Sequence, residues 1–554
     1  MEFVILAVVA LLVVALAAAL APRLRVPAPL ILVIVGIGVS ILPFMPKVTV
    51  NPEWILIGIL PPLLYSASVS MPVMNFRREF TAISGLSVAL VVSSSVLLGL
   101  FFAWVIPGLG IWWGIALGAI VSPTDAVAVS IVKRVGVSSR VVSVLNGESL
   151  LNDATALVLL RTAIVGTAAS ISLWNVFGTF AYSVLVATAI GVVIGYLNLW
   201  VRSKVTDSTV NTAISFTVPF LAAVPAELLG ASGLVAAVVA GLITGHGAAR
   251  RLPVQHRLSD SQNWHTIELV FEGAIFLLMG LELAGIVADV ERDSVGIGVA
   301  TVIAAGALLL TIVVRAAYIA PLLVALHRRA RRGAQRKPRL IVVEEWLESP
   351  VPRVGRKGKE RPTPTPARIE RAKTFTRRAL FDLDYFVAAP LGWREGGILV
   401  WAGMRGAITL AAAQTLPADA PHRSLLVHIA FTLAAGSLLV QGGTLAALVR
   451  WLKPARADSA VLAEERKSLL AMLRAVGREA ISDTATTAAP DEVDTHNAKR
   501  PSKSQALKAI EAQRKALLDA RDIGAYSAES IANALMNLDA DQISIELKGG
   551  PPEG

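Results

Sequence analysis

A short run of polar residues interrupts an apolar segment of the sequence, "GESLLNDATALVLLR", at residues 147–161. On a helix, side chains four residues apart share a face, so Glu148 stacks with Asn152 and Ser149 stacks with Asp153. A hydroxyl beside a carboxylate offers the oxygen ligands that a small hard cation prefers. Burial favours protonation of Asp153 once the cation leaves, which predicts one seat shared by cation and proton. The alternative is an Asp153 that only hydrogen-bonds to neighbouring helices.

A second polar stretch lies in "GAIVSPTDAVAVSIV", residues 118–132. Pro123 removes a backbone donor, and with Ser122 and Thr124 beside it we expect the helix to break here. Unwound backbone inside a membrane is tolerated where it is buried in protein or lines a water-filled cavity. Asp125 then either caps the following half-helix or contributes to an ion site, and the two roles are compatible.

The composition indicates whether these residues lie in water or within a membrane. Of 554 residues, 55% are hydrophobic and only 16% are charged, and the mean hydropathy is +0.64, which is typical of a polytopic membrane protein. The net charge of +11 comes from basic residues spread over short loops, so we predict no nucleic-acid partner. The absence of cysteine excludes disulfides, cysteine-ligated zinc and thiol catalysis, and seven scattered histidines argue against a transition-metal site.

Apolar runs of membrane-spanning length predict about thirteen transmembrane helices in an all-α fold. They lie near residues 3–21, 28–45, 54–72, 81–106, 111–132, 141–166, 174–200, 210–229, 231–247, 265–287, 296–325, 392–416 and 424–450. The first run resembles a signal peptide but has an acid and no basic start, so we interpret it as a membrane span. Basic residues concentrate in alternate loops: Arg23, Arg25, Arg77, Arg78, Lys133, Arg134, Arg140, Arg202, Lys204, Arg250, Arg251 and Arg257. The opposite loops carry Lys47, Arg292 and Arg423. The positive-inside rule then places the N-terminus outside the cell membrane and the C-terminus in the cytoplasm.

These spans divide the chain into four regions. Transmembrane helices occupy residues 1–326 and 391–452, and a basic, proline-rich cytoplasmic insertion, which we expect to be partly disordered, separates them at 327–390. Residues 453–554 form a cytoplasmic regulatory tail, with apolar residues at helical spacing on both sides of a polar linker near 482–503. We expect its amphipathic helices to pack on each other or on the membrane face.

Four further charged residues within the spans receive no chemical role from their positions. Arg161 and Glu282 lie near predicted helix ends, from which their side chains reach the membrane surface. Glu268 and Glu272 lie one turn apart near the predicted start of their helix. We predict that both pair with arginines of the cytoplasmic loops.

Five motifs, in this order along the chain, resemble those of the electroneutral cation/proton antiporters, the NhaP and NHE-like sodium/proton exchangers. They are "LPPLLYSASVSMP", "SPTDAVAV", "GESLLNDATALVL", "FLLMGLEL" and "WAGMRGAITLAAA". The tail segment "RDIGAYSAESIANALMNLDADQISIEL" is also similar to the C-terminal helices of bacterial members. The resemblance implies inverted repeats, two crossing broken helices and a homodimer, and it implies exchange of sodium or lithium for protons without a bound cofactor.

The resemblance also implies residue roles. Asp153 matches the essential carboxylate that binds cation and proton in turn. Ser149 and the backbone of Thr124 complete its ligand shell, and Asp125 acts beside it, through water. Asn152 stands where electrogenic relatives have a second aspartate, which implies electroneutral one-for-one exchange.

Three supporting residues and one departure follow from the same motifs. Glu148 matches a buried acid that pairs with an arginine of a later helix, and Arg315 in "TIVVRAAYIAPLL" is the predicted partner. Arg405 is predicted to balance helix-end dipoles at the second broken helix. Many bacterial relatives have a ligating glutamate where this chain has Ser66, which offers a hydroxyl but no charge.

Three other functions are alternatives to sodium/proton exchange. A potassium/proton antiporter is the nearest, because the residues do not fix the ion. A passive channel would pass cations without proton coupling. An intramembrane aspartyl protease would use two aspartates that share a proton, but the sequence context expected around them is missing, and Glu148 and Asn152 would have no role.

Overall fold

The computed structural model describes residues 2–24, 26–42, 51–168, 173–283, 285–287, 297–348, 365–454, 459–487 and 502–547. Within these ranges the chain is helical and has no strand. Two compact units are present: residues 1–324 with 391–456, and residues 325–390 with 457–554. The all-α fold class is confirmed.

Nineteen helices follow in chain order in the described ranges, and we number them α1 to α19. The first seven are α1 Glu2–Leu24, α2 Ala28–Ser40, α3 Trp54–Ser70, α4 Val73–Val105, α5 Ile111–Val121, α6 Val127–Val135 and α7 Ser139–Ala168. The next six are α8 Leu173–Arg202, α9 Ser208–Leu228, α10 Gly233–Arg251, α11 Val254–Leu281, α12 Ile297–Glu348 and α13 Pro366–Ala388. The last six are α14 Trp393–Trp401, α15 Ala407–Gln414, α16 Arg423–Leu452, α17 Ser459–Thr487, α18 Lys503–Ile523 and α19 Ala528–Leu547.

In the described part of the chain, nine helices are long and apolar enough to cross a membrane, and three shorter apolar helices accompany them. Every predicted span that lies in the described ranges coincides with a helix or with two half-helices. The run predicted at 111–132 is divided into α5 and α6, and the run at 392–416 is divided into α14 and α15. The end of the span predicted at 28–45 lies outside the described residues.

Two helix bounds differ from the predictions in ways that matter for the site and the insertion. Helix α11 begins at Val254 rather than near residue 265. Helix α12 continues to Glu348 rather than ending near residue 325, so the start of the insertion is helical, not disordered. Residues 327–348 of the insertion include a single proline, Pro338, and many helix-forming Arg, Ala, Leu and Glu side chains. Residues 349–364, the centre of the insertion, lie outside the described residues.

The smaller unit combines the insertion with the tail. Arg377 of α13 donates to Glu344 of α12 at 3.1 Å. In the tail, α17, α18 and α19 pack around an apolar core, so these amphipathic helices pack on each other. That core contains Leu469, Leu473, Ile510, Leu517, Ile531 and Leu538.

Close packing holds α5, the first half of the divided span, in the larger unit. Helix α5 lies against α4, and Gly118 faces the Ser95 carbonyl so closely that a Cβ would overlap it. A glycine is therefore required at position 118 for the two backbones to approach. This contact fixes the end of α5, from which the first break begins.

Candidate functional site

Two helix breaks lie against each other in the larger unit. The first break is 122–126, between α5 and α6, and the second is 402–406, between α14 and α15. The backbone N–H of Asp125 donates to the carbonyl of Met404 at 2.8 Å. A Cβ at Gly406 would overlap the Asp125 carboxylate, so the second break packs directly on this side chain. The crossing of two broken helices is present.

The guanidinium of Arg405 occupies the crossing and hydrogen-bonds to both breaks. Its Nε donates to the carbonyl of Val121 at 2.8 Å, its Nη2 donates to that of Ser122 at 3.3 Å, and its Nη1 donates to that of Gly403. A cation at these carbonyls satisfies free acceptors and balances the helix dipole. The sequence placed Arg405 at the second broken helix alone, whereas the structure places it between the two.

The structure brings Glu148 and Arg315 together as a buried ion pair. Arg315 Nη2 donates to Glu148 Oε2 at 2.8 Å, and Nη1 donates to Oε1. The Glu148 side chain is 2% exposed and the Arg315 side chain is 3% exposed. Arg315 Nε also donates to the carbonyl of Leu399 at 2.8 Å, and Thr124 Oγ1 donates to Glu148 Oε1 at 3.1 Å. The pair thus ties α7 and α12 to the first break and to α14.

Asn152 extends this network on the same face of α7. Its Nδ2 donates to the carbonyl of Thr124 at 3.1 Å and to the Thr124 hydroxyl at 2.8 Å. The Thr124 hydroxyl therefore accepts from Asn152 while it donates to Glu148. The Thr124 carbonyl keeps one lone pair for a further ligand, because a carbonyl oxygen accepts two hydrogen bonds.

Asp153 lines a cavity of about 110 Å³ beside the first break. The cavity is also lined by Asp125, Ser149 and Thr124, so four of the predicted site residues share it. Asp153 is 3% exposed, and in the described part of the chain its carboxylate has no hydrogen-bond or ion-pair partner. Asp125 is held in place, because its Oδ1 accepts from the N–H of Val127 at 2.9 Å.

Ser66 does not line the cavity itself. It is buried on α3 and lies close to the Glu268 carboxylate. Ser66 therefore neighbours one of the cavity-lining acids and is not part of the lining beside Asp153.

The structure places Glu268 and Glu272 on the cavity wall with Asp125 and Asp153, and the prediction that both pair with arginines is wrong. Among the described residues, neither has an arginine partner. The physical reason is the start of α11 at Val254, which carries both carboxylates deep into the helix instead of leaving them at its entry. The four-residue spacing of Glu268 and Glu272 was the sequence signal that both share one face of α11.

The other two charged residues have different environments. Arg161 reaches the surface, where it pairs with Glu227 at 2.9 Å. Glu282 is buried, 7% exposed, and accepts from Gln414 Nε2 at 2.6 Å. The expectation that Glu282 reaches the membrane surface is wrong, because α15 supplies a polar partner at this depth.

Four carboxylates and no lysine or arginine line the described cavity. Like charges this close, with little water, cannot all remain ionised without a counter-charge. Protons and small cations supply that charge, and a volume of about 110 Å³ holds an ion with a few waters. The site is suited to binding one or the other in turn.

Comparisons with known proteins agree with this chemistry. The family described as "Sodium/hydrogen exchanger, transmembrane" matches residues 8–348. The exchanger YjcE of Escherichia coli K12 is 36% identical over 250 residues, which are 43% of this chain and 45% of YjcE. The exchanger Rv2287 of Mycobacterium tuberculosis H37Rv is 28% identical over 484 residues, covering 85% of this chain and 78% of that relative.

A solved structure extends the similarity to the fold. The sodium proton antiporter MjNhaP1 from Methanocaldococcus jannaschii has a TM-score of 0.55 at 15% identity, covering 82% of this chain and 99% of that chain. The antiporter fold is therefore confirmed. The chain belongs to the sodium/hydrogen exchanger family, and it is a transporter rather than an enzyme.

Proposed function

We propose that this protein exchanges one sodium ion for one proton at Asp153. The observation that carries the proposal is a carboxylate that is 3% exposed, faces a cavity and has no protein partner among the described residues. An ionised carboxylate buried in this way costs several kcal/mol. Binding of a proton or of a cation removes that cost. Because the two cannot bind at the same time, they compete for one binding site, and this competition couples sodium transport to proton transport.

The neighbouring oxygen atoms suit a sodium ion. Ser149 and Asp125 share the cavity with Asp153, and the Thr124 carbonyl has a free lone pair beside them. Alkali-metal ions, like other hard cations, prefer such oxygen ligands. Ser66, which faces Glu268 instead, supports this site from outside the ligand shell. Lithium uses the same ligands, and potassium is the larger alternative, which family membership does not favour.

One-for-one stoichiometry rests on Asn152. It is fully buried next to Asp153 and donates both Nδ2 hydrogen bonds to Thr124. Because Asn152 is neutral, Asp153 is the only residue of this helix that we propose to bind a cation and a proton in turn. The loaded states then carry equal charge, and the membrane potential does no net work on the cycle.

We further propose the cellular arrangement. Alternating access moves the ion-carrying helices relative to the rest of the protein, as in other transporters with crossed broken helices. The basic loops support an N-terminus outside the cell membrane and a cytoplasmic C-terminal tail that regulates transport. The working protein is a homodimer that expels sodium in exchange for entering protons.

The test is proton efflux from acid-loaded proteoliposomes when sodium, lithium or potassium is added outside. Valinomycin with equal potassium on both sides clamps the potential in the sodium and lithium arms. We expect sodium to collapse the pH gradient in wild type but not in Asp153→Asn. Asp419→Asn, the same change at an exposed loop residue, serves as the control and should transport normally.

Two results would overturn the proposal. Normal exchange by a folded Asp153→Asn protein would remove this carboxylate from the mechanism. A cation current without proton movement in wild type would identify a channel. Proton movement with potassium alone would keep the mechanism and change the ion.

A further inference from the structure

Helix α11 has a polar face that the proposed exchange does not use. Glu268 and Glu272 are four residues apart, so they share one face of the helix. Both line the same cavity as Asp153. One helical turn, about 6 Å along the axis, separates them.

The charges around these acids show their order. The charged neighbours of Glu272 are Asp125 and Glu268. The charged neighbour of Asp153 is Asp125. Each carboxylate thus has another as its neighbour, and we call this series, Glu268, Glu272, Asp125 and Asp153, the row.

The two ends of this row differ. Asp153 is buried and has no partner in the part of the chain that the structure describes, so the row ends on an acid that requires a ligand. Glu268 is only half-buried and has Ser66, Lys133 and His265 among its neighbours. Lys133 lies in the last turn of the half-helix α6, so Glu268 is the member of the row nearer to the end of that helix.

We propose that Glu268 and Glu272 form a second cation-binding position, which holds the incoming sodium ion before it passes to Asp125 and Asp153. This inference rests on the proposed exchange at Asp153. Each carboxylate replaces part of the water shell that the ion loses on entering the cavity. Paired acids in the cavity wall also concentrate cations there, and focusing of this kind raises local occupancy by a factor of about ten or more.

The first experiment separates ion capture from turnover. In Glu268→Gln and Glu272→Gln, the KM for sodium should rise about tenfold, while kcat at saturating sodium stays within about twofold of wild type. Glu53→Gln, a change at an exposed carboxylate outside the cavity, is the matched control and should leave KM unchanged. Wild-type KM in both glutamine variants would overturn the second position, although exchange at Asp153 would still stand.

The second experiment measures binding without transport. The Asp153→Asn protein should still be stabilised against heat by sodium, because the position on α11 remains. Adding Glu268→Gln and Glu272→Gln to that protein should remove the stabilisation. No effect of sodium on Asp153→Asn would overturn the inference. Absence of exchange in wild type would instead refute the proposed function, so the two failures are distinguishable.

A swap variant covers the case in which a glutamine variant does not fold. Because Ser66 lies close to the Glu268 carboxylate, Ser66→Glu with Glu268→Ser moves the carboxylate from α11 to α3 and keeps it near the same position. We expect this double variant to have a sodium KM close to that of wild type, whereas Glu268→Ser alone should have a raised KM. Equal KM values for the single and double variants would contradict the role of the carboxylate.

Discussion

Replacement of Arg315 by methionine should destabilise the protein strongly. Arg315→Met keeps most of the side-chain volume but removes both donors to Glu148 and the donor to the Leu399 carbonyl. The Glu148 carboxylate, 2% exposed, would then be buried without its counter-ion. Loss of one member of a buried pair costs about 3–5 kcal/mol. At about 1.4 kcal/mol per factor of ten, the ratio of folded to unfolded protein falls roughly a hundredfold to several thousandfold.

The double variant Glu148→Gln/Arg315→Met distinguishes an unpaired charge from lost packing. It removes both charges, and the glutamine oxygen still accepts from Thr124. We expect the double variant to regain at least half of the lost stability, because replacement of a whole buried pair is often nearly neutral. Arg161→Met breaks a surface pair with an arginine side chain that is 58% exposed, and as the control it should change stability by less than about 1 kcal/mol.

The assay is the half-life of the monodisperse protein in detergent at fixed temperature, since irreversible unfolding makes stability a rate. The expected order of half-lives is wild type close to Arg161→Met, then the double variant, then Arg315→Met. An Arg315→Met protein that lasts as long as wild type would refute the reasoning. So would a double variant that is no longer-lived than the single one, because the charge left behind would then not be the cause.

Two further predictions concern the crossing and the network on α7. Gly406→Ala should displace the Asp125 carboxylate, which a Cβ would overlap, and should lower proteoliposome exchange by about tenfold or more. The control Gly436→Ala, whose Cβ meets no neighbouring atom, should transport normally. Equal activity of the two variants would contradict the predicted clash. Asn152→Asp loses both hydrogen bonds to Thr124 and should lower the stability of the folded protein by about 1–3 kcal/mol. The half-life in detergent measures this loss, and an unchanged half-life would show that these bonds do not stabilise the fold.

The first break was predictable from the sequence and the second was less so, for a physical reason. Pro123 cannot continue a helix, and the polar residues around it cannot face lipid. The second break has no proline, and its two glycines, Gly403 and Gly406, are also common inside membrane helices. Only the tertiary contact with the first break explains why the chain unwinds there, so the residues alone predicted a single span at 392–416.

The role of α11 could not be predicted because it depends on where the helix starts. Apolar content located the span near residue 265, but the helix begins at Val254 and its first turns carry polar residues. Some of those polar residues are stabilised by partners from other helices. His256 hydrogen-bonds to Asn211, and Asp260 pairs with the buried Arg202. Hydropathy counts such residues as loop, although these two are paired inside the protein.

Helix α7 separates support from transport by using two neighbouring faces. Glu148 and Asn152, four residues apart, hydrogen-bond to Thr124 and so hold the first break in place. Ser149 and Asp153, one residue further on in each case, face the cavity. Asp153 must be free to exchange its ligand, and it is free because the adjacent face already satisfies the polar groups of the break. Substitutions on the first face should therefore shorten the half-life in detergent, and substitutions on the second should stop exchange in a protein that remains folded.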